Sequence, residues 1–173
     1  MSRLIGIVAV LAALVVTAPA QMPNMEPPAE LKQLEWMLGD WTTKMTWTME
    51  GQAMEMSGEI SCVREGQFIK STSWFEMMGM KFTEVQYLGW DKDAKKYIGW
   101  SFTNFSAAPR IERGDWKGDT LTLVSDPWDA GMGPMESRGT MVRKGKDEGH
   151  LTLEFKMEGK WQKVGEGTFK RKS

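Results

Sequence analysis

Residues 31–49 read Leu-Lys-Gln-Leu-Glu-Trp-Met-Leu-Gly-Asp-Trp-Thr-Thr-Lys-Met-Thr-Trp-Thr-Met, and the hydrophobic period changes within them. Over the first eight residues, Leu31, Leu34 and Leu38 share one face at a 3.6-residue repeat, which predicts a short helix. Gly39 stands where a helix stops, because glycine enters the left-handed cap conformation without strain. From Trp41 the period is two. Trp41, Thr43, Met45, Trp47 and Met49 point one way, and Thr42, Lys44, Thr46, Thr48 and Glu50 the other, as in a strand with one buried face. A helix feeding a strand through Gly39-Asp40-Trp41 predicts a plug that closes one end of a β-barrel. On that geometry Trp41 is part of the floor. Trp36, on the helix face opposite Leu34, is expected to matter less.

The residues that follow supply strands to complete such a barrel. Turn signals at Glu50-Gly51, Glu65-Gly66, Met78-Gly79, Asp91 to Lys95 and Lys117-Gly118-Asp119 divide the chain into segments 41–49, 52–64, 67–77, 80–90, 96–105, 110–116 and 120–125. Further turns at Lys144 to Gly149 and Glu158-Gly159-Lys160 separate 136–143, 150–157 and 161–171. Connections this short join only antiparallel neighbours. The expected fold is all-β: a single antiparallel up-and-down barrel of about ten strands, closed on itself and so without edges, with a short N-terminal helix across one end. Segment 67–77 is apolar on both faces, with Phe68 and Trp74 alternating against Ile69, Phe75 and Met77, so its inward parity is open. One long irregular stretch, Asp126 to Met135, is placed either as a flap over the barrel mouth or as a plain connection.

Ahead of the fold, Arg3, the apolar run Leu4 to Val16 and Ala18-Pro19-Ala20 have the form of a secretory signal peptide cut before Gln21. The run is shorter than the roughly 20 apolar residues of a membrane span. This gives 1–20 as signal, 21–28 as a proline-bearing linker and 29–173 as the barrel domain. The expected location is the periplasm or the exterior, with no stable membrane insertion after cleavage. Without Arg3, 21 basic residues face 23 acidic ones, and the only dense basic cluster is Lys170-Arg171-Lys172, so no nucleic-acid partner is implied. The lone Cys62 has no disulfide partner within the chain and, far from the only histidine, His150, is expected to be an inert buried thiol.

No catalytic arrangement stands out, and no Cys or His cluster has zinc spacing; neither an enzyme activity nor a cofactor is expected. Methionine is in excess, with 15 in the chain. Thioethers suit Cu(I), but Met45 and Met49 share strand parity with Trp41 and Trp47, as core or pocket residues do, and methionine fills irregular apolar space. Met132 and Met135, in the irregular stretch, are the ones packing explains least.

Gly39-Asp40-Trp41 after a short helix resembles the Gly-x-Trp opening of the lipocalin and fatty-acid-binding (calycin-like) barrels. Over residues 29–171 the chain is similar to an exported bacterial family, domain of unknown function 1579. The similarity rests on Leu34 to Trp41, on Tyr87-Leu-Gly-Trp-Asp91 with Lys96-Tyr-Ile-Gly-Trp100, and on Gly118-Asp-Thr-Leu-Thr-Leu123. The resemblance implies a barrel and leaves the activity open. In lipocalins a basic residue near the end of the last strand covers the motif tryptophan, which points here to Lys170 or Arg171. Nitrobindin-like haem barrels ligate haem through a late-strand histidine, for which His150 is the sole candidate.

The resulting expectation is an exported barrel that binds a small apolar ligand. Met45 and Trp47 lead the candidate lining residues, followed by Trp74, Trp100, Phe102 and Phe155. A Met-based Cu(I) or His150 haem binder and a solid-core envelope interaction module are the alternatives. The interior decides among the three.

Overall fold

A computed structural model describes residues 26–49, 51–129 and 133–173. The expected signal peptide, most of the linker, Glu50 and Met132 lie outside these residues. A helix spans Ala29–Met37. It is followed by β1 (Gly39–Met49), β2 (Gln52–Glu65), β3 (Phe68–Met77), β4 (Met80–Asp91), β5 (Lys96–Thr103), β6 (Arg110–Lys117), β7 (Thr120–Ser125), β8 (Trp128–Asp129), β9 (Pro134–Met135), β10 (Ser137–Arg143), β11 (Glu148–Met157) and β12 (Lys160–Arg171). Ten of these strands form one closed barrel in the cyclic order β1-β12-β11-β10-β7-β6-β5-β4-β3-β2. Every neighbouring pair is antiparallel, and β1 pairs with β12, opposing Trp41 to Arg171. The remaining two, β8 and β9, pair only with each other, so the expected irregular stretch contains a small hairpin.

The helix is of the 3₁₀ type rather than α. With three residues per turn, i and i+3 eclipse, so the buried row is Leu31, Leu34 and Met37. Leu38, expected in that row from an α period, caps the helix instead. Gly39 then takes a left-handed backbone, φ +109°, and a Cβ there would stand 2.7 Å from Arg171 Nη1. Both constraints select glycine at that turn.

The helix seals the barrel floor against Cys62, Ile69, Leu88, Tyr97, Leu121 and Leu123. Trp41 is 2% exposed and donates its indole N–H to Met37 O at 2.7 Å. The Arg171 guanidinium lies 4.2 Å from the centre of the Trp41 ring and also donates to the carbonyls of Leu38 and Trp36. Of the two basic candidates Arg171 therefore covers Trp41, while Lys170 pairs with Glu148. Trp36 is not peripheral. Its ring stacks on Phe169 at 5.7 Å and meets Trp41 edge-on at 5.6 Å, so it belongs to the floor cluster. Burial pushes the Cys62 thiol up to about 12, helped by Asp40 and opposed by Arg171. The sulfur thus stays protonated and inert at neutral pH.

Candidate functional site

Two halves of the barrel interior differ. At the floor the inward side chains are closed off. Towards the opposite end the inward-facing Met45, Trp47, Met54, Phe75, Phe82, Leu153 and Phe155 are only partly buried, so this end, the cup, is less tightly closed than the floor. Trp47 and Met45 lie along β12, where glycine makes room for them. A Cβ at Gly165 would approach the Trp47 ring to 3.1 Å, and one at Gly167 would lie 2.5 Å from Met45 Cγ. Trp47 meets Phe155 of β11 edge-on at 5.6 Å.

Across the cup, aromatic rings run up to the hairpin. Phe75 and Phe82 stack at 5.3 Å, Phe82 meets Phe105, and Phe105 lies 6.3 Å from Trp128. Trp128 is 6% exposed, which makes the β8–β9 hairpin part of the cup wall rather than a bare connection.

Below these rings lies a polar network that hydrophobic patterning did not reveal. Register places Glu84 and Gln86 of β4 beside Thr103 and Ser101 of β5, with Arg110 and Glu112 of β6 next to them. Arg110 Nη2 donates to Glu84 Oε1 at 3.1 Å and to Ser101 Oγ at 3.4 Å. Its Nε lies 3.2 Å from Glu112 Oε1, an ion pair not aligned as a hydrogen bond. Gln86 donates from Nε2 to Glu112 Oε2 at 2.9 Å and to Ser101 Oγ at 3.1 Å. Burial raises the Glu112 carboxyl above the usual range, and nearby Glu84 adds to this against the pull of Arg110. Burial also works against the Arg110 charge, yet the two carboxylates outweigh it and hold its pKa above the usual arginine value.

The polar atoms are not all satisfied. Among the described residues, seven buried side-chain polar atoms have no hydrogen-bond partner. Five belong to this half: Trp47 Nε1, Thr103 Oγ1, Arg110 Nε, Trp128 Nε1 and Ser137 Oγ. Ser137 nonetheless holds the wall together, its backbone N–H donating to Ser125 Oγ at 2.7 Å. Buried polar groups are normally paired, so this concentration sets the open half apart from the floor.

Of the candidate lining residues, the cup brings together Met45, Trp47 and Phe155. Trp74, Trp100 and Phe102 are corrected to the outer face. Trp74 lies under Lys81 Nζ, Trp100 packs against Phe68, and Phe102 is 51% exposed. In β5 the usual assignment is inverted, since Tyr97, Gly99 and Ser101 are buried while Ile98, Trp100 and Phe102 alternate with them on the outside. Only the register against the buried Leu88–Gly99 pair would have exposed the inversion. His150 also faces outward, opposite Val142 and Thr168 in its two neighbours; it cannot serve as a ligand inside the barrel. Met45 and Met56 are direct cross-strand partners. Among the described residues, no group of three or more His, Cys, Asp or Glu is placed to hold a metal ion, and no helix is long and apolar enough to cross a membrane.

The family model described as protein of unknown function (DUF1579) matches residues 26–171. No curated protein sequence matches the chain. Among solved structures, the fold is similar to Rv2717c from M. tuberculosis, with a TM-score of 0.64 and 16% identity, over 86% of this chain and 100% of that one. It is also similar to the S-type phycobiliprotein lyase CPES from Guillardia theta, with a TM-score of 0.59 and 13% identity, over 82% of this chain and 92% of that one. At these identities the likeness is one of fold.

Proposed function

Since the chain belongs to the DUF1579 family, a membership that brings no reaction with it, we propose from the site itself that this is an exported barrel that binds a small molecule with an apolar body in its open half. The observation that carries the reading is the contrast between the two ends. A floor sealed by Trp41 and the helix lies under a cup whose inward aromatic and methionine side chains stay partly exposed and where several buried polar atoms lack hydrogen-bond partners. Small-molecule sites have this form: concave, mostly apolar, with a few placed polar groups. One neighbour of similar fold is a lyase by name. A shared fold does not transfer an activity, and the reading here is binding.

A screen of fatty acids, quinones and sterols tests it. A ligand that binds only the folded state raises the melting temperature as its concentration exceeds Kd, and one seated in the cup alters tryptophan emission through Trp47. Met45→Gln with Trp47→Ala is expected to weaken both responses, while Trp74→Ala with Phe102→Ala, on the outer face, leaves them intact. A screen in which no compound moves either signal contradicts the proposal.

Export rests on residues 1–20. Mass analysis of the protein recovered from the envelope or medium of its host is expected to give an N-terminus at Gln21, and recovery of chains retaining Met1 or Ser2 contradicts it.

A further inference from the structure

Strand register gathers methionines at one level of the barrel. Met45 of β1 and Met56 of β2 are direct cross-strand partners. The β2–β3 register pairs Ser57 with Glu76, and one step further along it Met56 comes opposite Met77. Met77 in turn is the direct partner of Met80 on β4. Alternation puts Met77 and Met80 on the face that also carries the Phe75–Phe82 pair and, at the floor, the core pair Ile69 and Leu88. Met77 and Met80 close the β3–β4 hairpin at the barrel mouth. Between them Met78 and Gly79 both take a left-handed backbone, φ +53° and +74°, as the tightest hairpin turns require.

Core filling does not account for this pair. Met80 is 54% exposed and Met77 is only partly buried, so an ion can reach them from the mouth. Cβ atoms opposed across an antiparallel pair stand roughly 4.5–5.5 Å apart. Each Sδ lies two bonds farther out on a flexible side chain, so the two thioethers can meet one ion between them. Buried Met56, on the adjoining strand, supplies a third sulfur. Met45 is left out, because its side chain fills the space over Gly167.

The donor set selects the ion. Glu76 and Lys81, the next pair along the hairpin, alternate to the outer face. Among the described residues, no group of three or more His, Cys, Asp or Glu is placed to hold a metal ion. Zinc and the hard divalent cations therefore find no suitable cage here. Neutral thioethers suit Cu(I). The stacked Phe75 and Phe82 rings, next on the same face, stand on the floor side of the pair, and ring faces attract a cation.

We infer that Met77 and Met80, with Met56 as third donor, form a binding site for one Cu(I) ion at the barrel mouth. The site is separate from the Met45–Trp47 wall on which apolar binding rests.

Anaerobic titration of the full chain with Cu(I), in competition with a chromophoric Cu(I) chelator, tests this. One Cu(I) per chain is expected to be withheld from the chelator, and Zn(II) is not expected to displace it. Methionine-to-leucine changes conserve volume and are well tolerated. Met77→Leu, Met80→Leu and Met56→Leu are each expected to weaken Cu(I) binding at least about ten-fold, as losing even a supporting group does at a metal site. Met157→Leu, at the β11–β12 turn, is expected to leave it unchanged. X-ray absorption of the Cu(I)-loaded parent, which needs no variant to fold, is expected to show sulfur as the only first-neighbour element. Failure to withhold Cu(I), unchanged affinity in any of the three variants, an equal loss in Met157→Leu, or nitrogen or oxygen neighbours would each overturn the assignment. None of these results bears on the apolar ligand screen, so the two readings fail separately.

Discussion

Trp41→Ala is expected to lower the unfolding free energy by about 3–5 kcal/mol, the range for truncating a buried large aromatic. The ring is sealed under the helix, hydrogen-bonded to Met37 O and covered by Arg171. Its removal leaves a void beneath a guanidinium that then has no π-face to rest on. Trp36→Ala is also expected to cost more than 2 kcal/mol, because its ring touches Trp41, Trp116 and Phe169. The two losses should not add. The double variant is expected to show coupling of about 0.5–1.5 kcal/mol, as an edge-on aromatic pair does. Urea titration followed by circular dichroism provides the measurement. Losses below 1 kcal/mol at Trp41 would mean that the floor does not hold the barrel closed.

Arg110→Met carries the second large effect. The substitution keeps bulk and removes the one cation between Glu84 and Glu112. Breaking a buried pair from one side costs about 3–5 kcal/mol, because a buried charge is left uncompensated. The sign of the pH dependence follows from Glu112. Its carboxyl is raised in the folded state, so its contribution is fully present below the unfolded carboxyl value and is lost as pH rises through the folded one. Without Arg110 the upward shift grows. The variant is therefore expected to be weakest at pH 7–8 and to recover part of its stability towards about pH 5. Glu84→Gln and Glu112→Gln added to Arg110→Met should restore stability and flatten that slope. A single variant as stable as the parent at pH 8, measured by thermal unfolding, would overturn the account.

The strand ends were legible because this chain punctuates them with glycine and charged pairs. All ten barrel strands fall within a few residues of the segments between those turns. The plug was legible too, since Leu31 and Leu34 keep their place in the buried row whether the helix turns in 3.6 residues or three. The inward parity of the central strands was not. In β5 the polar Ser101 and the small Gly99 face the interior, while Trp100 and Phe102 face out, so a rule that sends aromatics inward turns the strand over. The cup's polar network was hidden for the same reason. Glu84, Gln86, Arg110 and Glu112 are charged or amide residues scattered over 29 positions, and only the β4–β5 and β5–β6 registers bring them together. Met45 and Trp47 were legible because the alternation in β1 runs the ordinary way; for Phe155 it is the β10–β11 register that puts it on the inward face with Leu151 and Leu153.

The seam between β1 and β12 sets the tempo at which this protein can form. Thr42 hydrogen-bonds the carbonyl of Lys170, 128 positions away, whereas most of the other strand pairs are local hairpins. The hairpins can assemble in sequence, each closing a small loop, but the last pairing must close nearly the whole domain at once. Closure entropy grows only slowly with loop length, yet a topology weighted towards distant contacts folds slowly, on the millisecond-to-second scale. Until then β1 and β12 are both open edges, each able to pair with the matching edge of another copy. Arg171, which covers Trp41 and reaches the helix carbonyls from the far side of the seam, therefore acts as the latch whose engagement ends that vulnerable interval.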